Sequence, residues 1–282
     1  MIATFSNISL CFGALLVIGF VLLATIGPIL MPWEAAVRIN LKRSLVPPCR
    51  EYLLGTDEFG RSIAARIIYG AKYSLILSCG SVFASLVIGL SIGILIAYWG
   101  KTLAIVLTAL TDMLISFPRI LTALIFIVIL GRNLISLLLA VGISTAPVFV
   151  RLVRNATLSL KEREFIEAAK ALGASDLRII IKHILPNVLS PIIVQCSINI
   201  GEAIIIISGL SFLGLGLPPP IPEWGAMIAA GRSHLMTKPH VMFIPAAVLF
   251  LTVLGFNLLG DGLRDLLDPR ISRQARKLLI IR

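Results

Sequence analysis

Apolar runs long enough to cross a bilayer dominate this chain and leave it little choice of architecture. A hydrocarbon core about 30 Å thick takes about 20 residues of helix, and runs at or near that length fall at residues 9–30, 73–99, 102–130, 134–153, 188–215 and 241–259. In lipid every backbone polar group must be paired within its own segment, so helices are expected rather than lone strands. Hydrophobic residues make up 58% of the chain and charged residues only 14%, against about 25% charged in an ordinary soluble domain. The expected fold class is all-α: a polytopic membrane protein of about six transmembrane helices.

Domain organisation follows from the same runs. Residues 1–72 hold the first transmembrane helix and an extracytoplasmic segment, 73–263 a core transmembrane domain with a cytoplasmic insert at 154–187, and 264–282 a basic cytoplasmic tail. The insert and the tail are rich in Lys and Arg, and six crossings put both on one side, which loop charge makes the inside. The first loop is the weak point, because Arg38, Lys42, Arg43, Arg50, Arg61, Arg66 and Lys72 then lie outside. The third run is the least regular. Asp112, Pro118 and Arg119 interrupt it, which predicts a kinked helix turned toward protein or water; the alternative is a helix ending near Phe117 with a short re-entrant piece after it.

Several classes are excluded early. The net charge of +11 suits basic ends facing anionic headgroups, and no basic stripe with interleaved aromatics points to nucleic acid. The first thirty residues lack a basic n-region and a small-x-small cleavage pattern, so a retained span is expected instead of a cleaved signal. Cys11, Cys79 and Cys196 fall within apolar runs and Cys49 stands alone, with neither a disulfide framework nor a metal-ligand spacing. No nucleophile with a base, metal cage or phosphate-cradling Gly-Lys loop is recognisable, so no catalytic site is expected.

The charged insert is the most informative segment. Ser159 with Glu162 three residues later reads as a capping box opening a helix from Lys161 to Leu172, which Gly173 stops. Ser175 then caps a second helix through Ile184, ending at Leu185-Pro186. On the first helix Phe165, Ala168, Ala169 and Leu172 form one apolar stripe, with Lys161, Glu164, Glu167 and Lys170 elsewhere. An amphipathic helix lying on headgroups is the bland alternative. Its acids Glu162, Glu164 and Glu167 and its small alanines favour a protein partner instead.

Here the sequence resembles a known family. Glu167-Ala168-Ala169, three residues, Gly173 and then Leu185-Pro186 is similar to the signature loop of permease subunits of ATP-binding-cassette importers, with His183 standing where the family has an apolar residue. Leu54-Gly55-Thr56-Asp57-Glu58-Phe59-Gly60-Arg61, Arg66 to Ala71, Asp112-Met113 through Phe117-Pro118, Leu210 to Gly216, and Phe256 to Asp265 with Asp268-Pro269-Arg270 resemble the dipeptide, oligopeptide and nickel branch in order and spacing. The amino terminus departs from it by lacking a basic tail.

The resemblance implies a type I importer permease fold in a prokaryotic inner membrane, a similar but non-identical sister permease, two cytoplasmic ATPase subunits and an extracytoplasmic substrate-binding protein. ATP and magnesium would be bound by the ATPases, with no cofactor on this chain. The insert then couples to the ATPases through Glu164, Glu167, Ala168, Ala169, Gly173, Asp176 and Pro186. The outer loop Gly55, Thr56, Asp57, Gly60 and Arg61 either helps shape a docking surface or merely connects two spans, with Asp57 and Arg61 spaced for a local ion pair. Gly209, Gly214 and Gly216 before Pro218-Pro219-Pro220 suit close packing or an outer gate. Glu202 interrupts the fifth span and reads as pathway-lining, inter-subunit or a structural hydrogen bond; Asp112 and Asp261 read as structural. Peptides are the leading cargo, with nickel or a metal chelate second. An ion-driven carrier would show internal repeats, and none is evident.

Overall fold

The computed structural model describes residues 2–99 and 101–267. The helices are α1 (Ile2–Leu30), α2 (Trp33–Val37), α3 (Ile63–Tyr98), α4 (Lys101–Ser116), α5 (Arg119–Leu130), α6 (Leu134–Lys161), α7 (Glu164–Ala171), α8 (Asp176–Ile179), α9 (Leu185–Phe212), α10 (Trp224–Gly231) and α11 (His240–Leu267). Among the described residues there is no β-sheet, only a bridge between Thr56 and Ser62.

α1, α3, α6, α11 and the continuous helix Asp176–Phe212 are long and apolar enough to cross a membrane. The third run is broken: Thr102–Ser116 and Arg119–Leu130 meet at 103° across Phe117-Pro118. Pro118 lacks an N–H and disfavours helix at the residue before it, which ends α4 and starts α5 in a new direction. Counting the bent pair as one crossing gives six.

Several of the expected boundaries move, the fifth span starting at Asp176 and the last ending at Leu267. α3 begins at Ile63, ten residues ahead of the expected run, because the Ser62 hydroxyl accepts from Ala65 N and fixes the start there. Its 36 residues run about 54 Å, more than the bilayer requires. α6 likewise passes residue 153 and ends at Lys161, extending beyond the core toward the insert.

Polar groups and small residues hold the helices together, as expected where lipid removes the hydrophobic drive for association. Between α3 and α6, Ser81 Oγ donates to Leu138 O at 3.0 Å and Ser85 Oγ to Gly142 O at 2.7 Å. α1 lies against α11 so closely that a Cβ on Gly13 would meet the backbone of Leu258 and Leu259, and one on Gly262 the backbone of Leu10. The larger core, including Leu77, Val82, Ile127, Leu137, Phe149 and Leu210, joins α3, α5, α6 and α9.

The two faces are separately organised. The segment before α3 packs against the segment after α9: Glu58 Oε2 and His234 Nε2 are 3.4 Å apart, so both lie on one side. At the opposite face the ends of α3 and α6 meet the insert, whose core is Val153, Ile166, Ile179, Ile180, Ile184, Val188 and Ile192. Of the tail at 264–282, and of Asp268-Pro269-Arg270, residues 268 onward lie outside the described residues.

Candidate functional site

The insert differs from its expected form at both ends. Ser159 lies inside α6 and caps nothing; the helix continues to Lys161, and the chain breaks at Glu162-Arg163. A Ser-x-x-Glu pattern caps only where the preceding chain leaves the helix, and here α6 runs unbroken through Ser159 to Lys161. α7 therefore starts at Glu164, with Arg163 as its N-cap and no side-chain cap bond. Gly173 does end the turn, at φ +80°, with Ala174 N bonded to Ala169 O at 3.0 Å. Ser175 Oγ accepts from Arg178 N at 3.4 Å, as expected of a cap.

The second helix does not stop at Leu185-Pro186. It passes through a π-helical stretch, Ile180–Ile184, directly into α9. Leu185 N bonds to Ile180 O, five residues back, and this widened turn takes Pro186 without the missing N–H and ring clash breaking the helix.

Within α7 the expected stripe divides. Ile166 is fully buried and Ala169 packs beside it in the insert core. Phe165, Ala168 and Leu172 face outward, Leu172 with 89% of its surface uncovered. Glu164, Glu167, Gly173 and Asp176 are also exposed, whereas Pro186 belongs to α9. The insert thus has one face bonded to its own permease and another, mixed apolar and acidic, that no contact among the described residues covers.

Within the membrane two ion pairs flank the break in the third crossing. Glu202 Oε2 of α9 pairs with Arg119 Nη1 at the start of α5, and Asp112 Oδ1 of α4 with Arg151 Nη2 of α6 at 2.8 Å. Arg119 and Glu202 are 40% and 39% exposed, and Arg151 and Asp112 both 52%. Charge half uncovered at membrane depth must face water or protein rather than lipid. Glu202 is ten residues short of the C-terminal end of α9 and Arg151 ten short of the C-terminal end of α6, ends that lie at opposite faces, so the pairs occupy different depths, each about 15 Å from a helix end.

In the loop before α3 the expected Asp57–Arg61 pair is present, at 2.7 Å, and Arg66 joins it at 3.4 Å. Asp57 also accepts from Phe59 N and Arg61 N. Arg66 Nη1 donates to Ala36 O at 3.1 Å, and Thr56 Oγ1 accepts from Val46 N at 2.9 Å. Gly55 and Gly60 take positive φ of 81° and 71°. The loop is a specified, largely buried structure rather than a slack connector.

Sequence reasoning missed three features. Glu223 is wholly buried yet caps α10, accepting from Ala226 N at 3.0 Å, and Ser208 donates to it at 3.3 Å; burial raises its carboxyl above the ordinary value, opposed by those hydrogen bonds. Trp224, also buried, donates from Nε1 to Ile67 O at 3.2 Å. Glu223 and Trp224 directly follow the Pro-rich loop, and Glu is not among the residues that ordinarily signal an N-cap. The partners of Glu202 and Asp112 had no local signal.

The chain has recognisable relatives. Residues 89–273 match the family described as binding-protein-dependent transport system inner membrane component. The dipeptide transport permease DppC of Alkalihalophilus pseudofirmus is 42% identical over 260 residues, 92% of this chain and 85% of that one. The glutathione transport permease GsiD of Pectobacterium atrosepticum is 43% identical over 243 residues, 86% of this chain and 81% of that one. An inward-facing structure of the MetNI methionine ABC transporter superposes with a TM-score of 0.58 at 22% identity, covering 72% of this chain and 96% of that one; this agrees with the expected importer-permease fold. A subunit of this kind works with ATPase and substrate-binding partners. The match across two thirds of the chain and the shared helical architecture make it a member of the binding-protein-dependent transport family, the inner-membrane permease subunit of an ABC importer.

Proposed function

We propose that this permease imports small peptides and forms half of the path with a similar but non-identical sister subunit. Identity of 42–43% to dipeptide and glutathione permeases over most of the chain supports the cargo class. Glu202, with Arg119, lines the path. Asp57 and Arg61, with Gly55, Thr56 and Gly60, hold the outer loop in shape for the binding protein.

Two cytoplasmic ATPases, carrying the ATP and magnesium, dock on the insert. The observation that carries this reading is the uncovered face of the insert: Phe165, Ala168 and Leu172, at three-and-four spacing, lie exposed along with Glu164 and Glu167, a mixed apolar and acidic surface that suits a protein partner. Glu164, Glu167, Ala168 and Asp176 belong to that contact, Ala169 anchors the reverse side, Gly173 turns the chain, and Pro186 belongs to the helix that carries the movement into the membrane. Closure of the ATPases then rocks the spans between outward- and inward-facing states.

The test is copurification and uptake. Leu172→Asp should leave the permease in the membrane, since the side chain touches little of its own chain, while the ATPases no longer copurify and labelled dipeptide uptake stops. Retained ATPase binding by that variant would remove α7 from the docking surface. In cells lacking this chain, loss of nickel uptake without loss of dipeptide uptake would overturn the cargo.

A further inference from the structure

Arg119 and Arg151 share a cavity. Together with Ser144 and the apolar side chains of Leu114, Ile115 and Val148 they line a space of about 240 Å³ beside the break between α4 and α5. Their partners Glu202 and Asp112 do not line it. Each guanidinium has five donors. Arg119 engages Glu202 through Nη1 and Arg151 engages Asp112 through Nη2, and the other donors of both have no hydrogen bond among the described residues.

The chemistry of the space follows. Two fork-shaped cations with open donors face a cavity that cannot open onto lipid, because half-exposed charge in a span must face water or protein. A guanidinium matches a carboxylate through two parallel hydrogen bonds. The volume is below the roughly 300 Å³ of a small-ligand pocket, so it accommodates one end of a peptide rather than a whole one. The apolar lining suits the side chain next to that end.

We infer that this cavity is a transit site for the C-terminal carboxylate of a peptide. The two cations lie at different depths and are reached in succession: Arg119, tied to the outer half of α9, then Arg151, toward the inner end of α6. Glu202 and Asp112 neutralise them while the site is empty, so the incoming carboxylate enters a polar but locally balanced space. Selection of free-acid peptides thereby continues inside the membrane, after release from the binding protein. This rests on the peptide-import reading above.

The experiment uses the complete transporter, with sister permease, ATPases and binding protein, in proteoliposomes. Uptake of one apolar tripeptide is compared with that of its C-terminally amidated form, each normalised to its occupancy of the binding protein. The native transporter should move the free acid at least about tenfold faster, as one charge-assisted contact implies. The double variant Arg151→Gln/Asp112→Asn, which leaves no orphan charge, should lose that preference by slowing the free acid and sparing the amide. Arg151→Lys keeps the ion pair but loses the fork, and should show an intermediate preference, so the site remains testable if the double variant assembles poorly. An unchanged ratio in both variants, or an equal fall for both peptides, overturns the transit site alone. No uptake of either peptide by the native transporter overturns the peptide-import reading itself and the transit site with it.

Discussion

The ammonium of Lys161, at the end of α6, donates to the carbonyl oxygen of Ala97 at 2.7 Å and lies 4.5 Å over the ring of Tyr98. Ala97 and Tyr98 close α3. The root of the insert is therefore fastened to the C-terminal end of a different span, and force applied to α7 meets both α3 and α6.

Lys161→Met should loosen that fastening. Losing a charged hydrogen bond at this half-buried position should cost about 1–3 kcal/mol. We expect a lower Tm of the purified permease and ATP hydrolysis that continues with reduced uptake. Native Tm and coupling in the variant would show the contact to be incidental.

Gly173→Val tests the turn itself. Among the described residues nothing lies within 4 Å of a Cβ built there, but the φ of +80° strains any L side chain, by roughly 1–2 kcal/mol or more for a β-branched one. Because space is not limiting, the expected defect is a misdirected α7: normal membrane insertion, with ATP hydrolysis uncoupled from uptake. Full uptake would count heavily against the turn as part of the coupling device.

Asp57→Asn should be the most damaging outer substitution. It removes one charge from a nearly buried cluster and leaves Arg61 and Arg66 without their shared carboxylate, which in such settings costs about 3–5 kcal/mol. Expression level and thermal stability in detergent measure it. Asp57→Glu, which restores the charge with altered reach, should recover part of the loss.

Glu223 predicts a pH dependence. Its carboxyl is raised above 4.5 by burial, so the folded chain holds that proton more tightly than the unfolded one. Its contribution therefore makes stability fall as pH climbs from about 4.5 through the raised folded value, and level off beyond it. Glu223→Gln should flatten that part of a Tm-against-pH curve and leave the protein at least as stable at neutral pH.

The legible parts of this molecule were those written locally. Hydropathy located the spans, Pro118 marked the break, and Gly173 with Ser175 marked the turn, because each acts within a few residues of itself. The Ser159–Glu162 pattern misled because it is only a cap where the chain has already left the helix, and α6, its end anchored through Lys161, runs on past Ser159. Pro186 misled because a π turn accommodates what an α turn rejects. The pairing of Glu202 with Arg119, 83 residues apart, and that of Asp112 with Arg151 depend on how helices pack, which no window of sequence contains.

The unbroken passage from α8 through the π turn into α9 gives the protein one continuous helix from Asp176 to Phe212. Glu202 is 26 residues along it from Asp176, about 39 Å at helical rise. A tilt of about 5° about the N-terminal end of that helix would carry that carboxylate roughly 3 Å sideways, as far as a hydrogen bond is long. A small swing of the whole helix is therefore enough to part Glu202 from Arg119, and the grip on a bound guest changes with it.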